Sequence, residues 1–443
     1  MSPVVRFSSV VFAAVAALTL GCETQQASGP RSTLSLDRNT ASGLDQACSD
    51  RPGEHRARRP EGPVALLCAF TLPAGSKPIL NGTKSWVYRG RYYVTELANA
   101  SVYIFDVITH HSVGQVTGFV GSTGNAATSG PNSITFSRDG HAWVSDGNSA
   151  VQVVDLSTGS IVATISTAIP ACDNGTAHFC QRTNEITYDP EHEIIFVENP
   201  SPLAVGGTHA AIDPYSTFIS ADPPYTVLGT VTFPGAGGQE APVWDPQLHR
   251  LLSAVTGKLS GTTVVTPQYV AVINPVTRAI ENKYVIDCQA LIGVVTLGIN
   301  DPSLGPDQHM VIPGCGHAVL LDAATGHIFT VLRQIGGGNE TWYNPGDNRF
   351  YVTGIDSTQT PPVNSLGVID ASDLTFLQGV AAVGATNPAS SSENNETFAV
   401  VPANASTATG CTAFGFQTSG CIVVFGHVPT HRVHRSGDDD GDE

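Results

Sequence analysis

Three segments set an amide-carboxylate pair directly before strand-forming residues. They are Asn184-Glu185 before Ile186-Thr187-Tyr188, Asn339-Glu340 before Thr341-Trp342-Tyr343, and Asn395-Glu396 before Thr397-Phe398. Glu240 before Ala241-Pro242-Val243-Trp244 and Asn132 before Ser133 fill similar places. Gathered at one mouth, such groups offer hard oxygen ligands suited to Ca²⁺ or Mg²⁺. Crowded carboxylates also raise one another's pKa, which makes them acids or bases near neutral pH. The plainer role is to hydrate a channel and satisfy strand-end amides. Among the 14 histidines no metalloprotease spacing occurs. His317, two residues after Cys315, is the candidate acid or base to work with Glu340. His110, His111, His141, His192, His249 and His327 read as surface residues of turns, and His178 and His209 as loop residues. No Gly-x-Ser-x-Gly elbow, phosphate loop, dinucleotide fingerprint or Cys-x-x-Cys-His is found.

The elements that must position these groups are strands. Gly and Pro together number 74 of 443 residues, and only 13% are charged, which excludes a long-helix or coiled-coil protein. A hydrophobic content of 41% supports a folded core. The net charge of −17 argues against nucleic acid, whose binding needs a basic surface. Residues 62–430 alone hold 12 basic and 27 acidic residues, so the body itself is near −15.

One unit recurs: strand, tight polar turn, strand, loop, a third strand ending in an Asx residue, turn, fourth strand. Its clearest copy runs through Ser133–Phe136, Ala142–Ser145, Val151–Gly159 and Ile161–Ile165. Asp106, Asp155, Asp213, Asn274, Asp322 and Asp370 mark successive copies, at intervals of 49, 58, 61, 48 and 48 residues. The Asx side chain caps the amides of the turn that follows, and glycine supplies the positive φ. A degenerate seventh copy spans Thr397 to Phe425. Seven four-stranded units predict an all-β, seven-bladed β-propeller over 62–430, the alternative being six blades plus an irregular segment. Val64–Phe70 has no local partner and is expected to close the ring as the outer strand of the last blade.

Tyr93-Val94-Thr95-Glu96-Leu97-Ala98-Asn99 and Tyr351-Val352-Thr353, each followed by a third strand ending in Asp and a turn, resemble the YVTN repeat of surface-layer and periplasmic seven-bladed propellers. The resemblance covers roughly residues 64–429, with Phe196-Val197-Glu198-Asn199 departing from it in the third copy. It implies the propeller fold. It implies little about activity, since fold relatives range from binding modules to haem-carrying reductases and streptogramin-type lyases.

In such a fold the loops joining strands one to two and three to four share one face. The loops joining strands two to three, and each blade to the next, share the other. The long irregular segments 168–182, 199–209, 257–268, 354–364 and 403–420 all fall on the second face, where function is expected.

At the N-terminus, Arg6 and the apolar run Val10 to Leu20 have signal-peptide length, and Leu18-Thr19-Leu20-Gly21-Cys22 resembles a bacterial lipobox. Residues 1–21 are read as the signal peptide, Cys22 as the lipid attachment point and 22–61 as a flexible tether, with six Arg against six acidic residues in 23–61. Glu23 after Cys22 favours the outer membrane over the inner. Residues 431–443 read as a disordered acidic tail. Setting Cys22 aside, eight cysteines in an exported chain suggest four disulfides. Proximity favours Cys172–Cys180, Cys411–Cys421, Cys288–Cys315 and Cys48–Cys68. These readings predict an envelope-tethered monomer that binds an envelope protein, a glycan or a small ligand, touches the membrane through its lipid alone and avoids nucleic acid. The ligand residues expected are Asn184, Glu185, Glu240, Asn339, Glu340, Asn395 and Glu396. The alternatives are a metal-assisted lyase or hydrolase on the same carboxylates, and a surface-layer structural protein.

Overall fold

Strands Tyr269–Ile273 and Ile194–Val197 are apolar on successive positions rather than alternate ones, and all of these residues are buried. Continuous burial of that kind needs cover on both sheet faces. The computed structural model provides it by packing seven small sheets side by side around one axis. It describes Cys48 and residues 62–428, apart from 81–83, 171–180, 201–211, 261–262, 383, 406–408 and 417. Residues 1–47 and 49–61, read as signal peptide and tether with Cys22 between them, the expected Cys172–Cys180 pair and the stretch read as an acidic tail lie outside the described residues.

The blades run Lys84–Thr117, Ser133–Ser166, Ile186–Thr232, Gly238–Val285, Ser303–Leu332, Ile335–Ala381 and Thr386–His427. Each is an antiparallel sheet with its strands in chain order from the channel outward, except that the outermost strand of blade seven comes from the start of the ring. The fourth blade adds a free-standing hairpin, Lys258–Ser260 with Thr263–Thr266, between its second and third strands. The innermost place of blade six is shared by Ile335–Gly336 and Thr341–Asn344. Outermost strands alternate instead. In Ala279–Val285 only Tyr284 is buried, because one sheet edge there meets water.

Closure is as expected. Val64–Phe70 is the fourth strand of blade seven, pairing Val64 with His427 and Phe70 with Ile422 across one bulge. Cys48 and Cys68 are disulfide-bonded beside it. Cys288–Cys315 and Cys411–Cys421 are bonded as well, both on the face of long loops. Apolar clusters fill the seams between blades. Phe70, Tyr92, Phe105 and Phe398 join blades seven and one, and Phe196, Phe218, Leu251 and Val255 join blades three and four.

The Asx caps form where the repeat placed them, with one exception. Asp106 Oδ1 accepts from the amides of Ile108 and Thr109, Asp155 from Ser157, Asn274 from Val276 and Thr277, Asp322 from Ala324 and Thr325, and Asp370 from Ser372. Asp213 precedes the third strand of its blade, Tyr215–Ser220, and accepts from Gly235 instead. Blade seven also differs from expectation. Its inner strand is Thr386–Ser391, so Glu396–Val401 is the second strand and not the first.

Candidate functional site at the channel mouth

Every inner strand starts on the same face of the ring, and seven polar residues stand at those starts. In blade order they are Lys84, Asn132, Glu185, Glu240, Asp301, Glu340 and Asn387. Their side chains converge because the strands lean together around the axis. Lys84 Nζ lies 2.6 Å from Asp301 Oδ2, 2.8 Å from Glu340 Oε1 and 3.1 Å from Glu185 Oε1. The four side chains are 18%, 9%, 9% and 7% exposed, so the cluster sits at the edge of solvent and not in it. The second oxygens are used too. Asp301 Oδ1 accepts from Ala241 N at 3.0 Å, and Glu340 Oε2 from Asn387 N at 3.2 Å.

Asn132 is bound through its side-chain amide, and Asn184 and Asn339 through their backbones. Asn132 Nδ2 donates to Ser129 O and Thr183 O, bridging blades two and three. Asn184 N donates to Glu198 O, and Asn339 O accepts from Asp301 N. Two residues further along their strands, on the same side of the pleat, Trp86 and Trp342 meet edge to face at 4.8 Å. Because they come from blades one and six, the indoles narrow the channel below the carboxylates.

The electrostatics divide the ring in two. Burial would lower the Lys84 pKa, but Asp301, Glu185 and Glu340 together raise it well above its ordinary value, so it is an ammonium at any neutral pH. Burial pushes Glu185 up to about 7 against the pull of Lys84, with Asp301 adding repulsion. Glu340 is raised by burial, again against Lys84. On the other side, Glu240, which Lys84 does not touch, is raised well above the carboxylate range by burial and by Asp301, against a pull from Lys84 at a distance. Glu198, at the end of the second strand of blade three, is raised likewise by burial and by Glu240. Glu198 is fully buried, its Oε1 accepts from Ser253 Oγ at 3.0 Å, and its Oε2 has no partner among the described residues.

Of the carboxylates expected at the mouth, Glu185, Glu240 and Glu340 are therefore brought together, and Asn395 and Glu396 are not. Those two residues belong to the turn between the first and second strands of blade seven, at the opposite end of the channel. There Glu396 Oε2 meets His110 Nε2 at 2.8 Å, both side chains being 2% exposed. His110 is thus a buried residue, stacked on Phe70, and not a surface one. Glu396→Ala is expected to destabilise the fold by about 1–3 kcal/mol, the cost of stranding a buried polar partner, and to leave ligand binding at the mouth unchanged. Urea denaturation and a binding titration on one preparation check both halves.

His317 opens the third strand of blade five, two strands out from the channel. Burial and the nearby Arg333 lower its pKa. Among the described residues no bond joins it to the carboxylates. The metal-ligand geometry is also specific. Among the described residues, the trio of ligand atoms lying within 4.8 Å of one another is Cys48, Cys68 and His110, and its two cysteines are disulfide-bonded. The mouth carboxylates are spread around an ammonium.

Lys84, Asp301, Asn387 and Glu198 were missed by sequence reasoning. Asp301 stood in the sequence as Asn300-Asp301 before a two-residue strand, Ser303–Leu304. The shortness of that strand hid its kinship with Asn184-Glu185.

No family model matches the chain, and no curated protein matches it. Among solved structures, one titled "Crystal Structure of Mitotic Checkpoint Complex" aligns with 89% of this chain and 99% of its own at a TM-score of 0.53 and 12% identity. That likeness establishes the seven-bladed propeller arrangement and nothing finer.

Proposed function

We propose that the chain is an interaction module, tethered to the cell envelope through a lipid on Cys22, that captures a partner with the face carrying the channel mouth. The carrying observation is the convergence of Lys84, Glu185, Asp301, Glu340 and Glu240 on one face of a rigid ring. The same face holds the Cys288–Cys315 and Cys411–Cys421 staples. It also holds the hairpin that exposes Leu259, Val264 and Val265. A propeller of like fold belongs to a protein assembly, in keeping with a protein partner. The disulfides fit an oxidising, exported setting, and among the described residues no helix is long and apolar enough to cross a membrane.

A metal-assisted lyase or hydrolase is less well supported. Lys84 already stands against two of the carboxylates that it would assign to a cation, Glu185 and Glu340. His317 lies on an outlying strand. What keeps that reading in view is Glu185, raised to about 7 and able to exchange a proton at neutral pH.

Photo-crosslinkers at Leu259, on the loop-rich face, and at Val162, on the outer strand of blade two, test the interaction module in cells. Expected is a discrete adduct from Leu259 and none from Val162. Adducts from Val162 alone would overturn the assignment of the working face. In the same cells, Cys22→Ser is expected to move the chain from the membrane fraction to the soluble one, and continued sedimentation with membranes would overturn the lipid tether.

A further inference from the structure

The mouth holds five carboxyl side chains and one ammonium, and the ammonium touches only one side. Lys84 Nζ contacts Glu185, Asp301 and Glu340. Glu240 and Glu198 lie beyond its contacts; Lys84 acts on Glu240 only from a distance, and Glu240 is the first of the charges acting on Glu198. The only Lys or Arg between residues 171 and 211 is Arg182. It gives its guanidinium to Ala126 O at 3.1 Å and acts on Glu185 and Glu240 from a distance. Glu198 is fully buried, yet Oε2 accepts no hydrogen bond among the described residues. A buried acceptor left unmade is costly. Its carboxyl is held by Ser253, on the strand that pairs with that of Glu240, and its backbone pairs with Glu185, which sets it between two members of the ring.

We propose that the Glu198–Glu240 side of the channel mouth binds a primary ammonium group presented by a ligand from the loop-rich face. The proposal rests on the reading of that face as the binding face and names the chemistry that it selects. An ammonium fits better than a divalent ion on two observations. The neighbouring half of the ring already holds one, in Lys84, with carboxylate oxygens at 2.6–3.1 Å. Among the described residues, the mouth carboxylates do not form a trio within 4.8 Å, the closeness that a shared metal ion would demand. A primary ammonium has three N–H donors, enough for Glu198 Oε2 and the Glu240 carboxylate with one left for water, and its charge lowers the raised pKa of both groups so that they release their protons to solvent as it binds. The group can come from a lysine side chain of a protein or from a free small amine.

Calorimetric titration of the full mature chain tests this with two probes, Nα-acetyl-lysine methylamide and cadaverine, and with Ca²⁺ and Mg²⁺ alone. Saturable binding of the lysine amide is expected. Glu240→Gln and Glu198→Gln should each weaken it roughly tenfold to a hundredfold, the loss of one charged hydrogen bond, while Glu281→Gln on an outer strand leaves it unchanged. Near-UV circular dichroism confirms that each variant is folded. Binding of both probes assigns the site to any primary amine, and binding of the lysine amide alone assigns it to a protein partner. No binding of either probe, binding indifferent to both glutamine variants, or Ca²⁺ or Mg²⁺ binding that excludes the amines would overturn the proposal. A discrete Leu259 adduct with no amine binding would remove the ammonium and keep the interaction face.

Discussion

Lys84→Met is expected to cost about 3–5 kcal/mol of stability at pH 7.5, the usual result of removing one partner from a buried ion cluster. The methionine keeps the side chain's bulk, so the loss is electrostatic: Asp301, Glu340 and Glu185 remain, nine-tenths buried, without their cation. The pH dependence separates this from a packing defect. Glu185 titrates near 7 in the folded chain and near 4.5 when unfolded. Between those values the folded state binds a proton that the unfolded state has released. Its contribution is therefore full below about 4.5 and is lost as pH rises through 7. Glu340, Glu240 and Glu198 are shifted in the same direction. Lys84 acts oppositely in range, since its raised pKa contributes stability below about 10.5 that is lost only at higher pH. The penalty in Lys84→Met should accordingly shrink at pH 5, where the carboxyls take up protons. Urea denaturation at pH 5.0 and 7.5 measures it. Equal penalties at both pH values would mean that the ammonium does not compensate these carboxylates.

A chain lacking residues 64–70 is expected to lose its cooperative unfolding transition and to associate. Deletion bares the whole edge of Cys421–His427, whose residues are all buried in the closed ring, and an unpaired flat edge recruits other strands. It also removes Cys68 from Cys48 and Phe70 from its contacts with Phe105 at 5.0 Å and Phe398 at 6.4 Å. Phe70→Ala, which keeps the strand, should cost only the cavity, about 3–5 kcal/mol, and remain monomeric. Size-exclusion chromatography and calorimetry distinguish the two. A monomeric deletion variant with the native melting temperature would show that the ring closes without this strand.

Two of the three Asn-Glu motifs show where local reading works and where it stops. Asn184-Glu185-Ile186-Thr187 and Asn395-Glu396-Thr397-Phe398 look alike as sequence, but one opens an inner strand and the other a second strand. The true inner strand of blade seven, Thr386-Asn387-Pro388-Ala389-Ser390-Ser391, is polar and carries a proline. It has no strand-like pattern and acquires its place by pairing with Glu396–Val401. That shift of one strand carried Glu396 to the far end of the channel, onto His110.

By itself the sequence determined the repeat, the Asx-capped turns, the seven units and the closing role of Val64–Phe70. Each depends on residues a few positions apart or, for the last, on a strand with no neighbour to pair with. The tertiary structure alone decided which charges meet. Lys84 is 217 residues from Asp301 and 256 from Glu340, and before the ring closes nothing in Thr83-Lys84-Ser85 distinguishes this lysine from a solvated one. Closure sets the starts of seven inner strands around one axis, and a low-dielectric mouth then makes the balance of one ammonium against five carboxyls matter.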